Sequence, residues 1–456
     1  MSYISRARFH LIVMIILGTL IIVGIGKLFF RLDTPNTLLY VYGLLVTIVM
    51  LGSFVAAFFF YKDPYETALL RQKANPEFAD PTKKPFVSII LAAYNEEKFI
   101  TRCVDSLVAQ TYPYRKIFVV DDASTDGTTT VLAPYVARGE ITVIHRKNNV
   151  GKKRAIASAI AVAPGTIYAF TDSDSVLEID ALERMVLILQ THPEVGAVNG
   201  HVRVYNAEEN LLTKIQDTWY EGQFSIRKAF ESIFGSVTCV SGPIAIFRKE
   251  AVYNYIPAWI NDTFLKKEFR FSTDRSMTNF VLSAGSAGKK LKACYADSPF
   301  VKKKDYPSKD WQVVYTKSAH AWTIVPNTFR KIIRQQVRWK KSFIRSIFLT
   351  GRYFYKRPFP IAAVYYLHIL FVFAAPFIAF RHLIYLPLTG NLTAAILYLA
   401  GILYVGLLFG LAYRLTVPGD YHWLYRPLMS VMSTLIFSWL IFYSALTIKK
   451  SLWHRG

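Results

Sequence analysis

Cysteine is scarce: Cys103, Cys239 and Cys294 are the three thiols in 456 residues. They are too few and too scattered for a disulfide framework or a zinc site, which leaves reduced, cytosolic chemistry as the expectation. Acidic residues are also few, 31 against 54 Lys and Arg, so the net charge is 54 − 31 = +23. Glycine and proline sit at ordinary levels, 23 and 20, and 53% of the residues are hydrophobic, which excludes a disordered or fibrous chain. Charge is missing altogether from long stretches at both ends. No Asp, Glu, Lys or Arg occurs from Leu11 to Gly26 or from Leu38 to Tyr61. Each run approaches or exceeds the ~20 residues that cross a ~30 Å hydrocarbon core, so both read as membrane helices. No small-residue cleavage site follows the first run and a second span comes at once, so it is read as a span rather than a signal peptide. Three more such runs close the chain, Ile361 to Phe380, Leu392 to Tyr413 and Leu428 to Thr447, with His368 as their one histidine.

The basic residues set an expected orientation. Arg6 and Arg8 precede the first run and Lys62 with a basic middle region follows the second, while Lys27 and Arg31 alone lie near the connecting turn. By the positive-inside rule the N-terminus and the middle region are cytoplasmic. Three C-terminal spans then place Lys449, Lys450 and Arg455 outside, against the same rule. Either a further crossing or re-entrant piece lies in the Pro-interrupted stretch from Pro358 to Leu388, or the C-terminus breaks the rule.

Between these ends, short apolar runs alternate with helix-length segments: Phe86 to Ala93, Lys116 to Asp122, Ile141 to Arg146, Thr166 to Asp172 and Val195 to His201. That is the pattern of an α/β domain with a mostly parallel, helix-covered sheet. Ligands of such sheets bind beyond the carboxyl ends of the strands. There the first run leads into Tyr94, Asn95 and Glu96, the second ends in Asp121-Asp122, and the fourth ends in Asp172-Ser173-Asp174. Any one of these is better explained by turns and helix caps, where Asp and Asn are favoured. Together they crowd negative charge into one crevice, and the D-x-D spacing puts two carboxylates on one side of an extended segment. That suits Mg²⁺ or Mn²⁺ held through oxygen while the metal also holds a diphosphate. Farther along come Ser241-Gly242-Pro243, Thr273-Asp274-Arg275 and Gln335-Gln336-Val337-Arg338-Trp339. Arg338 is suited to neutralise a diphosphate and Trp339 to stack on a ring. The same stretch also reads as a basic interfacial helix, since Lys331, Arg334, Lys340, Lys341 and Arg345 surround it. Trp219, Trp311 and Trp322 are assigned to membrane interfaces, where Trp is enriched. The surplus of positive charge suits anionic lipid headgroups, and no nucleic-acid-binding motif appears.

The ordered set of Asp121-Asp122, Asp172-Ser173-Asp174, Thr273-Asp274 and Gln335 to Trp339, lying between membrane runs, resembles the processive family 2 glycosyltransferases. These are the membrane synthases of hyaluronan, chitin and cellulose. Phe234 to Glu250, Thr273 to Gly285 and Arg334 to Arg345 look most like hyaluronan synthases, with Thr273-Asp274 replacing an acidic pair and an apparent insertion from about Lys290 to Trp311.

The resemblance implies a GT-A nucleotide-sugar fold inserted between membrane helices. It implies uridine near Tyr94, Asn95, Glu96 and Asp121 or Asp122, with Asp172 and Lys152 as further nucleotide contacts, and a divalent metal at Asp174. It implies Asp274 as general base with Arg275 lowering its pKa, Gln335, Gln336, Arg338 and Trp339 along the donor and acceptor junction, and Ser241, Gly242 and Pro243 beside the acceptor. The implied partners are UDP-N-acetylglucosamine, UDP-glucuronate or another UDP-sugar, and a growing polysaccharide. The expected organisation is two spans over 1–61, a cytoplasmic catalytic domain over 62–325, interfacial helices over 326–357 and further spans over 358–456, in a multi-pass protein of the cell membrane. A chitin-type homopolymer synthase and a single-step polyprenyl-phosphate transferase are the rival readings.

Overall fold

The computed structural model describes residues 37–450 together with Met14, Gly18 and Thr19. The first expected span, apart from those three positions, and Arg6, Arg8, Lys27, Arg31 and Arg455 lie outside the described residues.

The strands are β1 (Val87–Ala93), β2 (Arg115–Asp121), β3 (Ile141–His145), β4 (Ile167–Phe170), β5 (Val176–Leu177), β6 (Val195–Val204), β7 (Ala245–Arg248), the small hairpin β8 (Thr263–Phe264) and β9 (Lys267–Glu268), and β10 (Gln312–Thr323). The main sheet runs β3-β2-β1-β4-β7-β6-β10-β5. Pairs β1–β2, β1–β4, β2–β3 and β6–β10 are parallel, whereas β7 is antiparallel to both β4 and β6, and β5 to β10. The uninterrupted apolar character of β1 and β2 follows from burial on both faces, with helices packed above and below. The five apolar runs of the sequence thus correspond to β1, β2, β3, β4 and β6. Strand β4 is shorter than its run: pairing stops at Phe170, and Thr171 donates instead to the Pro243 carbonyl at 3.0 Å. Asp172 to Asp174 are therefore loop residues beyond the strand end, and the expected α/β fold with a mostly parallel sheet is present.

Among the described residues three helices are long and apolar enough to cross a membrane, Val41–Ala74, Phe359–Leu388 and Leu392–Thr416, and His422–Phe437 with Leu440–Leu446 makes a fourth if this pair, bent by 41°, counts as one span. The stretch from Pro358 to Leu388 contains no second crossing. It continues as one helical run through Pro376, with a short π-helical piece, Arg381–Tyr385, near its end. The broken element is the last one instead.

Two polar ties join these helices to the sheet. Asp63 caps the Pro64–Ala74 helix by accepting from the Tyr65 N–H at 3.0 Å, and also accepts from the Thr316 hydroxyl (2.6 Å), the Lys317 N–H (3.0 Å) and the Ser318 hydroxyl (2.9 Å) of β10. On the other side Arg203 of β6 pairs with Asp217 at 3.1 Å, and the Tyr413 hydroxyl lies 2.7 Å from the same carboxylate. The sheet is thereby tied to the helices at two points.

Candidate active site

At the carboxyl ends of β1, β2 and β4 a cavity of about 870 Å³ opens. Tyr94, Asn95, Glu96, Asp122, Lys152, Asp172 and Asp174 line one side, and Ser241, Gly242, Pro243, Asp274, Arg275, Gln335, Gln336, Arg338 and Trp339 line the other. Asp121 is the one expected contact that does not reach it. Its carboxylate accepts from the Ser124 N–H (2.9 Å) and the Thr129 hydroxyl (2.9 Å), shaping the turn after β2.

Side-chain hydrogen bonds fix the donor side. Asn95 takes a left-handed φ of 56°, which Asn tolerates, accepts from the Thr125 N–H at 2.8 Å and donates its own N–H to the Ser124 hydroxyl at 3.1 Å. The loops after β1 and β2 are thus cross-tied. Asp122 accepts from the Val150 and Gly151 N–H groups at 2.9 and 2.8 Å, and Gly151 supplies the positive φ of 83° that starts the next helix. The first residue of that helix is Lys152, whose ammonium donates to Asp172.

Acid and base are balanced around Lys152. Burial opposes its charge, but Asp172, Asp274 and Asp174 outweigh burial and hold the ammonium above the ordinary lysine range. Burial, and then neighbouring Asp172, push Asp174 up to about 6. Asp172 and Asp174 on one loop of the cavity offer carboxylate oxygens of the kind a divalent cation takes, so the residues fit the group.

Asp274 lies in the first turn of the Thr273–Cys294 helix, after Ser272 at φ 69°, where the helix N-terminus favours negative charge. Its carboxylate accepts the Gly242 N–H at 3.1 Å. Burial raises its pKa and Asp172 adds to this, while Lys152 and Lys228 oppose. Arg275, the next residue of the helix, diverges from Asp274 by about 100°. Gly242 leaves room between two carboxylates: a Cβ there would lie 2.6 Å from Asp172 Oδ2.

Helix Phe329–Thr350 brings Gln335, Arg338 and Trp339, three and four residues apart, onto one face toward the cavity. Trp339 stacks on Trp219 at 5.4 Å and 19°. Trp219 is a wall of the cavity and packs beside Met429 and Phe437 of the bent pair, whereas Trp311 is buried in the core against Gly196 and does not sit at an interface as expected. The Gln335 side-chain oxygen is buried without a hydrogen-bond partner among the described residues. Burial works against the Arg338 charge, whereas Asp172 and Asp174 support it.

The sequence reading missed Lys228. It is the last residue of a π-helical segment, Gln223–Lys228, that continues the Leu211–Gly222 helix, and no motif marks it. Its ammonium donates to the Ser241 hydroxyl at 2.6 Å, the Cys239 carbonyl at 2.7 Å and the Asn199 side chain, and burial pulls it down to about 8. Asp217, Asp420 and His422 also converge elsewhere with ligand-type atoms within 4.8 Å, but Arg203 pairs with both carboxylates, so that cluster is a structural tie.

Residues 88–256 match the Glycosyl transferase family 2. Residues 88–256 carry a family 2 glycosyltransferase domain. This domain spans every strand from β1 to β7, and the cavity described above opens at its strand ends. Among curated proteins, a hyaluronan synthase of Streptococcus pyogenes is 26% identical over 375 residues, covering 80% of this chain and 82% of that protein. An N-acetylglucosaminyltransferase of Rhizobium meliloti is 30% identical over 269 residues, covering 58% of this chain and 57% of the relative. Among solved structures, a mannosyltransferase of Pyrobaculum calidifontis in complex with GDP-Man and Mn2+ superposes with a TM-score of 0.51 at 19% identity, covering 90% of this chain and 99% of that one. The glycosyltransferase domain therefore has the GT-A fold, and the protein is an enzyme of glycosyl transfer.

Proposed function

We propose that this glycosyltransferase is a processive, inverting polysaccharide synthase that extends a β-linked polymer from UDP-sugars and passes it through its own membrane helices, with hyaluronan as the leading product. One observation carries the reading: the cavity that holds Asp172, Asp174 and Asp274 continues to His368 and Val372 of an apolar helix and to Met429 and Phe437 of the bent pair. A transferase that released its product to the cytosol has no use for such a continuation. The similarity to a hyaluronan synthase over most of both chains supports the same reading.

In this reading Tyr94, Asn95, Glu96 and Asp122 receive the nucleoside, and Lys152 and Arg338 face the diphosphate. A divalent cation, Mn²⁺ or Mg²⁺, held by Asp174 beside Asp172 supplies neutralisation of the charge that develops on the leaving UDP. Asp274 takes the proton of the attacking hydroxyl, and its helix N-terminus and the Gly242 N–H favour the ionised state that a base needs. The hydroxyl oxygen forms its bond to the anomeric carbon as the bond to UDP breaks, so one in-line displacement inverts the centre. Trp339, stacked on Trp219, presents a flat face to the acceptor sugar, and the unpartnered oxygen of Gln335 is available to its hydroxyls.

A specific observation favours a carboxylated polymer over chitin. Beyond Asp274, Arg227, Lys228, Arg275 and Lys340 line the cavity against the single acid Glu231, and burial pulls Lys340 down to about 8. Arg227 pairs with Glu231 at 3.3 Å, and the remaining cations, Lys228 buried and Arg275 and Lys340 half-buried, favour anionic sugars in passage. The domain organisation follows as proposed: spans over 1–61, the catalytic domain over 62–325 on the cytoplasmic side, interfacial helices over 326–357 and spans over 358–456, in the cell membrane with its lipids as partners.

The test is UDP release by the detergent-purified protein with Mn²⁺ or Mg²⁺, given UDP-N-acetylglucosamine, UDP-glucuronate or both, followed by digestion of the product. Hyaluronidase-sensitive polymer formed with both donors together is the expected result. Polymer from UDP-N-acetylglucosamine alone, sensitive to chitinase, moves the assignment to chitin-type synthesis, and transfer of one sugar to a polyprenyl phosphate overturns processivity. Asp274→Asn is expected to abolish transfer while UDP still binds; polymer synthesis by that variant refutes the base assignment.

A further inference from the structure

A second cavity, of about 450 Å³, opens at the opposite edge of the sheet, where β1 and β4 begin and β7 ends. β1 has seven residues, so at about 3.3 Å per residue this edge stands roughly 20 Å from the catalytic cavity. Lys83, Arg248, Lys249 and Lys304 line it against Glu77 and Glu250. Lys83 is paired with Glu77 at 2.7 Å, but the other cations are not neutralised in this way. The Arg248 guanidinium donates to the backbone carbonyls of Val195 (2.6 Å), His192 (3.0 Å) and Leu189, which fixes its position and leaves its charge whole. Lys249 rests over the rings of Tyr168 and Tyr253, and Lys304 over that of Tyr306.

The cation-bearing wall is built and held in place. Buried Asn254 donates to the Phe300 and Lys304 carbonyls at 2.8 and 2.7 Å and accepts from the Tyr306 N–H at 2.8 Å, clamping the segment that carries Lys304 and Tyr306. Lys292 adds a bond to the Tyr306 carbonyl at 2.7 Å. Beside this wall the hydroxyl of Tyr168, a wholly buried residue, has no hydrogen-bond partner among the described residues. Lys249 lies close enough to Lys303 and Lys304 for each to work against its charge, so the wall holds cations together against their repulsion. Phe78 and Tyr306 add flat apolar faces to the same cavity.

We propose that this cavity is a second, non-catalytic binding site for a small phosphate-bearing anion, with Arg248, Lys249 and Lys304 facing the phosphate. One guanidinium held in place by backbone carbonyls and two lysines at the same concave surface, with rings at its margin, match the chemistry of a phosphorylated metabolite. The site lies at the sheet edge away from the interfacial helix that carries Gln335 to Trp339, which favours a free anion over a lipid headgroup.

The experiment is equilibrium dialysis of radiolabelled inorganic pyrophosphate against the purified full-length protein, with EDTA present to suppress metal-dependent binding in the catalytic cavity. Saturable binding is expected. Lys249→Gln with Lys304→Gln should weaken it by on the order of tenfold per ammonium removed, while Arg338→Ala leaves it in place. Elution of the double variant as native protein guards against misfolding, and Lys249→Arg should retain binding. Unchanged affinity in the double variant, or loss in Arg338→Ala, overturns the proposal. A parallel arm floats the protein with phosphatidylcholine vesicles with or without a phosphoinositide, in a lysine-dependent comparison; capture through Lys249 and Lys304 without pyrophosphate binding overturns the free-anion assignment.

Discussion

Asp262 is the joint between the catalytic domain and the helix that carries Gln335 to Trp339, and its removal is the sharpest test of how the site is assembled. The carboxylate is almost wholly buried; it accepts from the Arg345 Nη2 at 2.5 Å and Nε at 3.2 Å and from the Lys153 ammonium at 3.3 Å. Lys153 also donates to the Phe269 carbonyl at 3.0 Å, in the segment that leads to Asp274. Burial holds Lys153 below the ordinary lysine range and Asp262 opposes that. Asp262→Ala therefore leaves two buried cations without their anion, a loss of about 3–5 kcal/mol. At about 2–4 °C per kcal/mol for a domain of this size, the thermal midpoint should fall by roughly 6–20 °C. The assay is thermal unfolding of the detergent-purified protein, with Arg345→Met and the double variant completing a cycle. The double variant should be more stable than the sum of the single losses predicts, because removing Arg345 removes one stranded charge. Additivity within about 0.5 kcal/mol refutes the argument, since independent sites behave that way.

Three further outcomes are expected. Gly242→Ala forces a Cβ to 2.6 Å from Asp172 Oδ2, so UDP release should fall on the order of a hundredfold, the usual scale for an ~1 Å misplacement, with the unfolding midpoint little changed. Trp219→Ala removes the ring stacked on Trp339 and should shorten the product through weaker acceptor binding, a stacking contribution of about 0.5–1.5 kcal/mol; product of unchanged length refutes it. Chelation by EDTA should stop UDP release and added Mn²⁺ or Mg²⁺ restore it; turnover that persists in EDTA refutes the placement of a metal at Asp174.

Much of the fold was legible because its signals are local. The apolar runs that became β1, β2, β3, β4 and β6 are contiguous, and their polar ends name the residues that now line the cavity. What was not legible depends on distant contacts. β7 has four residues and is a strand because it fills the gap between β4 and β6. Trp219 has interfacial chemistry, and Trp339, 120 positions later, stacks on it. Lys228 stands in no motif; it ends a π-helical segment. Asp121 and Asp122 are adjacent carboxylates with equal claims on a ligand, and only the alternation of side chains at a strand end separates them.

By itself the sequence determined the composition of the machine: apolar runs long enough for a bilayer, an α/β middle, and acidic and basic motifs suited to a nucleotide-sugar. Hydrophobicity and strand-end chemistry are properties of neighbouring residues, so they survive reading in one dimension. Tertiary structure alone decided which carboxylates share a cavity, that Lys152 acts on Asp274 from across it, that 359–388 is a single helical run, and that the strand-end cavity continues among the long apolar helices. Those facts depend on distance, burial and the direction of side chains from segments up to hundreds of residues apart, and charges interact through space rather than along the chain.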